Sequence, residues 1–130
     1  MQREGRPGQP TTTIALLCLA PRMRRILRLA LQAGGHLVLD WTDPASPPRR
    51  PASALVIDLD SLGWTPSLAA HVITAFACLA ATPVLMITIY PYEPDGLASG
   101  RRLAVLQPPF GPDAFVACVH SLLDEQRAHL

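Results

Sequence analysis

Runs of apolar residues alternate along this chain with stretches whose apolar positions recur at helical spacing. TTTIALLCLA, residues 11 to 20, reads as a first buried strand. PRMRRILRLALQAGG follows with a helical period, Pro21 near its start and Gly34-Gly35 at its end. On that helix Met23, Ile26, Leu27 and Ala30 share one face, and Arg24, Arg25, Arg28 and Gln32 share the opposite one. HLVLDW, residues 36 to 41, is a second strand. The four prolines of TDPASPPRRPAS leave little room for a regular helix after it. ALVIDLDS, residues 54 to 61, is a third strand, apolar on both faces until it reaches Asp58 and Asp60. TPSLAAHVITAFACLAA predicts a helix, PVLMITIY, residues 83 to 90, a fourth strand, and LAVLQ, residues 103 to 107, a fifth. Between those two strands PYEPDGLASGRR holds a turn of helix at most. The chain closes on PDAFVACVHSLLDEQRAHL, an amphipathic helix with Phe115, Val119 and Leu122 on one stripe.

Strand and helix in alternation, with two of the crossovers degraded, predict an α/β fold: a parallel sheet covered on both faces. Periodicity alone does not fix the strand order. A both-faced apolar strand that ends on acids places them where open α/β sheets build their sites.

Composition narrows this to one domain. The chain has 130 residues, 49% hydrophobic and 16% charged, enough for a real core. Residues 1 to 10, rich in Gly and Pro, are expected to be a disordered leader, 11 to 126 the folded unit and 127 to 130 a tail. A formal net charge of +1 gives no general case for nucleic acid or membrane binding. No stretch is apolar for long enough to span a bilayer, and Pro21-Arg22-Met23-Arg24-Arg25 cuts short the faintly signal-like segment before it. Cys18, Cys78 and Cys118 stand far apart with no CxxC, so neither a disulfide framework nor a zinc site is signalled, and a reducing cytoplasm is the expected location. There is no glycine-rich phosphate loop, nucleophile elbow or HExxH, so no enzymatic activity, metal or cofactor is expected.

Several segments together resemble the receiver domains of response regulators, the CheY-like family, from about Thr13 to Leu123. ALVIDL resembles the family's third strand with Asp58 at the phosphoacceptor position, and PVLMITI its fourth with Thr88 at the hydroxyl position. LQPPF followed by GPDAFVACVHSLL resembles its last turn and helix, and MRRILRLAL its first helix. The resemblance implies a flavodoxin-like sheet of order 2-1-3-4-5, here with the second and fourth helices short or missing. It also implies a pair of acids after the first strand to hold a divalent cation and a lysine in the fifth turn. Those positions fall on Cys18, Leu19 and Pro108, and the aromatic switch position on Val105. Leucine and proline offer no charge to hold an acyl phosphate, and Mg²⁺ wants several hard oxygens. Asp60, two residues from Asp58 and so on the same strand face, is a poor substitute.

The expectation is therefore a pseudo-receiver: a signalling module in a bacterial regulatory pathway that acts through a protein partner or a fused output domain without being phosphorylated. Asp58 is then a relic capping loop amides, and Thr88 a strand residue bonded to backbone. On the third helix Ser67, Ala70, His71, Thr74, Ala77 and Cys78 form a small, nearly uncharged face suited to close helix approach, with Leu68, Val72, Phe76 and Leu79 facing the other way. Arg24, Arg25 and Arg28 form either a solvated face or a basic patch. A homodimer through a fourth or fifth strand edge is a further route to association. Two alternatives stay open: phosphoacceptance at Asp58 with an unusual cation site, and a small ligand or nucleotide in a crevice near Asp58, Thr88 and Cys18.

Overall fold

The computed structural model describes residues 12–76, 81–90 and 103–128, the last four of these by backbone alone. Five strands, β1 (Thr13–Leu17), β2 (Leu37–Asp40), β3 (Ala54–Asp58), β4 (Val84–Ile87) and β5 (Leu103–Leu106), form one sheet in the order β2-β1-β3-β4-β5. Every pair is parallel. The helices are α1 (Pro21–Ala33), α2 (Leu59–Leu62), α3 (Pro66–Ala75) and α4 (Pro112–Ala128). β4 lies inside the sheet, so of the two edges expected for self-association only β5 is one.

Successive strand residues point to opposite faces, and this sorts the core into two layers. Ile14, Leu16, Ala54, Val56, Leu85 and Ile87 pack with Leu27 and Leu31 of α1 and with Phe115, Val119 and Leu122 of α4. Ala15, Leu17, Leu55, Ile57, Val84 and Met86 pack with Leu59, with Ala69 and Ile73 of α3, and with Trp41. All five residues of β3 are buried, which is why the run carries no polar alternation. At about 1.5–3 kcal/mol for each large apolar side chain buried, this strand and its neighbours supply much of the driving force for folding.

No helix follows β2; residues 41 to 53 form turns and irregular chain, as their prolines require. Trp41 fills part of the space a helix would cover. It is almost fully buried, meets Phe76 edge to face at 6.0 Å between ring centres, and donates its indole N–H to the Asp43 carbonyl. The segment expected to replace the fourth helix lies outside the described residues.

Two expectations about helix faces change. On α1 the buried residues are Leu27 and Leu31, while Ile26 is 54% exposed. Leu31 is one turn beyond Leu27, whereas Ile26 lies about 100° round the helix from it. On α3, Pro66, Ala69 and Ile73 face the sheet, and Leu68 points to solvent at 45% exposure. The helix begins with Thr65 accepting from the Leu68 N–H and ends at Ala75, where Phe76 turns extended to reach Trp41. Residues 77 to 80, expected to continue it, lie outside the described residues.

Phe115→Ala, which empties a fully buried ring site stacked against Phe110, is expected to lose about 3–5 kcal/mol in urea unfolding. Ile26→Ala is expected to change stability by only about 0.5 kcal/mol.

Candidate functional site at the carboxyl edge of the sheet

The strand register delivers the site residues. Leu17 pairs with Ile57 and Asp58 with Ile87, so Cys18 comes up beside Asp58, and Thr88 stands one residue beyond. Asp58 follows Val56 toward the α1 and α4 face, whereas Thr88, continuing Val84 and Met86, turns toward the α3 face. By this alternation Thr88 and Asp58 are aimed toward opposite faces of the sheet.

What Thr88 meets is Asp60. The strand stops at Asp58 and the chain turns at once into α2, which ends on Gly63 in a left-handed conformation at φ 69°. Asp60 therefore sits in a helical turn, and the expectation that it shares a strand face with Asp58 is corrected. Its carboxylate reaches across the end of β4: Oδ1 accepts from the Thr88 hydroxyl at 3.0 Å and Oδ2 from the Ile89 N–H at 2.9 Å. The Thr88 oxygen in turn accepts from the Tyr90 N–H at 3.2 Å. The Gln107 side-chain amide adds a bond to the Ile89 carbonyl at 3.3 Å, tying the end of β5 to the same turn.

Asp58 is 5% exposed. Its Oδ2 lies 3.3 Å from the Cys18 thiol, which is also 3.6 Å from the Ala20 carbonyl. Burial pushes the Cys18 thiol up to about 11, and the Asp58 charge adds to that, so the thiol keeps its proton and donates it to the carboxylate. Burial likewise raises the Asp58 carboxyl above its usual range, assisted by the negative charge of Asp60, while the Cys18 bond pulls it back. Ser61 closes the ring, donating to the Asp58 carbonyl at 2.9 Å and accepting from the Leu19 N–H at 3.0 Å. The Cys18 thiol, the Ser61 side chain and the Asp60 main chain all favour the Asp58 carboxylate.

A divalent cation does not fit these residues. Beside Asp58 stands a protonated sulfur, Leu19 is exposed and offers no oxygen from its side chain, and Asp60 is committed to Thr88 and Ile89. Among the described residues no three His, Cys, Asp or Glu side chains are grouped as a cation site. Pro108 is half-buried at the lysine position, and the Pro108–Pro109 bond is cis. Val105 packs half-buried in the layer that contains Trp41.

A cleft of about 700 Å³ is lined by Asp60, Gly63, Trp64, Thr65, Pro66, Ile89 and Tyr90. Cys18, Asp58 and Thr88 are not among the residues that line it. Ser67, His71 and Thr74 are exposed on α3 with Ala70 half-buried; Ala77 and Cys78 lie outside the described residues. Of the arginines, Arg25 is exposed, Arg24 half-buried, and Arg28 forms an ion pair with Asp40, which takes it out of a free basic patch. Asp60 and Ser61 were missed as working partners of Thr88 and Asp58. The sequence signal was the glycine at 63, which ends the strand pattern early and allows the tight turn.

No protein-family model and no curated protein matches this chain. Solved structures do resemble it. The chemotaxis response regulator CheY4 of Vibrio cholerae is 17% identical, with 87% of this chain and 99% of that one covered at a TM-score of 0.70. The receiver domain of a sensor histidine kinase from Pseudomonas aeruginosa, described with magnesium in its active-site cleft, is 16% identical over 88% and 99% at 0.68. A CheY-like receiver domain from Methanospirillum hungatei is 13% identical over 93% and 100% at 0.71. The fold is that of CheY-like receiver domains.

An acid whose folded value is raised is harder to ionise folded than unfolded, so Asp58 lowers stability as pH rises from about 4 through its folded value. Asp58→Asn is therefore expected to raise the melting temperature at neutral pH, with the gain closing as the pH falls toward about 4. Thermal unfolding across that range checks it.

Proposed function

We propose that this chain, built on the CheY-like receiver fold, is a signalling module that works without phosphorylation. It acts through contact with a protein partner or a fused output domain in a bacterial cytoplasmic pathway. The observation that carries this reading is the Asp60 carboxylate. A threonine hydroxyl and a main-chain N–H converging at the end of a central strand are suited to hold an anion. Here both are already filled by an internal one.

Phosphoryl transfer needs an exposed carboxylate and positive charge to offset the charge of the incoming group. Asp58 is buried against a thiol, with leucine and proline at the positions where the family resemblance implies an acid and the lysine. With Asp60 in place the turn after β4 is held in one arrangement, so partner contact does not wait on a chemical signal at Asp58. The small face of α3, with Ser67, Ala70, His71 and Thr74, is the surface proposed for that contact.

A second reading rests on the cleft beside Asp60. Trp64, Pro66, Ile89 and Tyr90 give it apolar walls and Asp60 a negative edge, a lining suited to a small, partly aromatic ligand. A thermal shift with a small-ligand panel, lost in Trp64→Ala, would favour it.

Titration with Mg²⁺ and then with beryllofluoride, a phosphoryl mimic, followed by Trp64 fluorescence, is expected to give no saturable response while a control receiver responds. A saturable response that disappears in Asp58→Asn would overturn the proposal. Asp60→Ala is expected to lose about 1 kcal/mol and to speed amide exchange at Ile89 and Tyr90.

A further inference from the structure

At the opposite, amino-terminal edge of the sheet two histidines meet. His36 enters from the turn between α1 and β2, and His120 from α4; their Nε2 atoms are 2.9 Å apart, with the rings edge to face at 5.0 Å between centres. The main chain fixes this approach. Gly35 takes a left-handed φ of 93°, and the His36 N–H returns to the Leu31 carbonyl. One helical turn before His120, Val116 packs so closely on Gly34 that an added methyl would stand 3.2 Å from its Cγ1. The two contacts together seat α4 on the α1–β2 turn.

Tautomer bookkeeping limits how the pair can be protonated. His36 is 8% exposed, and its Nδ1 is buried without a hydrogen-bond partner. An unpaired lone pair there costs less than an unpaired N–H, so His36 holds its proton on Nε2 and donates it to Nε2 of His120. A proton added to His120 sets N–H against N–H. A proton added to His36 must go to Nδ1, where nothing accepts it. Zinc at the two Nε2 atoms would force His36 to the same orphaned Nδ1–H, so the arrangement favours a proton-dependent contact over a metal site.

We propose that the His36–His120 pair is an acid-released latch between the α1–β2 turn and the second half of α4, closed while both rings are neutral and opened by one proton. The neighbouring charges agree with this. Arg22, Arg24, Arg25 and Arg28 lie in the first half of α1, Asp40 at the far end of β2 and Asp113 in the first turn of α4, while β1 carries no titratable group. Cys118 sits on α4 two residues before His120. Asp124, with Leu123, lines a small cleft beside the two rings. Burial, and then the neighbouring His120, push the His36 value down from its usual range. The unfolded chain therefore takes up this proton first, and stability falls as the pH drops below about 6.5.

Amide hydrogen exchange of the full chain, corrected for the intrinsic pH effect, tests the latch between about pH 7.5 and about pH 5.5. The expected result is that α4 loses protection over residues 116–123 while β3 keeps its own. His120→Gln, which still offers His36 a neutral acceptor, is expected to abolish that acid loss. Unchanged α4 protection on acidification, or the same loss in His120→Gln, would overturn the proposal. Saturable Zn²⁺ binding that disappears in His36→Gln or His120→Gln would also overturn it. If the variants do not fold, imidazole ¹⁵N shifts of the unaltered protein decide. His36 protonated at Nε2 supports the latch, and His36 protonated at Nδ1 overturns it.

Discussion

Burial of β3 on both faces, with β1 on one flank and β4 on the other, is the constraint from which the remaining features follow. A parallel strand has no solvent face, so its residues must find apolar neighbours above and below. α1 and α4 supply them on one side; α3, Leu59 and Trp41 supply them on the other. The same burial keeps the carboxyl ends of β1, β3 and β4 level, and the first polar groups past those ends are forced together at one edge. Cys18 and Asp58 meet there, and Thr88 stands at the same edge, because the registers of three strands bring them there.

Once gathered, these groups must be satisfied or stay wet. In this chain they satisfy one another: thiol to Asp58, Ser61 to the Asp58 carbonyl, Asp60 to Thr88 and Ile89. A buried carboxylate held only by neutral donors is an expensive neighbour, and its raised value states that cost. A site arranged this way has its donors and acceptors already occupied by its own side chains.

The second layer of the core is the thinner one. Without a helix after β2, Trp41 and Phe76 cover the end of the sheet next to α3, and that demand draws Phe76 out of helical conformation. On the other side α1 and α4 are joined at the foot of the sheet by the closest approach of Gly34 to Val116 and by the pair of histidines. The two ends of the sheet thus differ in kind. The carboxyl edge is closed by hydrogen bonds to acids, the amino edge by one neutral bond between two titratable rings.

The sequence by itself determined the five strands, the absence of a helix in the proline-rich crossover and the inward stripe of α4. These follow from local periodicity and from residues such as Pro44, Pro47 and Pro51, whose backbone restrictions act whatever surrounds them. The strand order entered through the family resemblance. Only the tertiary structure decided that Asp60 leaves the strand and binds Thr88, that Cys18 donates a hydrogen bond to Asp58, that Leu31 and not Ile26 faces the core, and that His36 finds His120 across 84 positions of chain. Such pairings depend on strand register, helix rotation and the path of a tight turn. Each of these is set by the packing of many distant residues at once, and no local window of the sequence contains it.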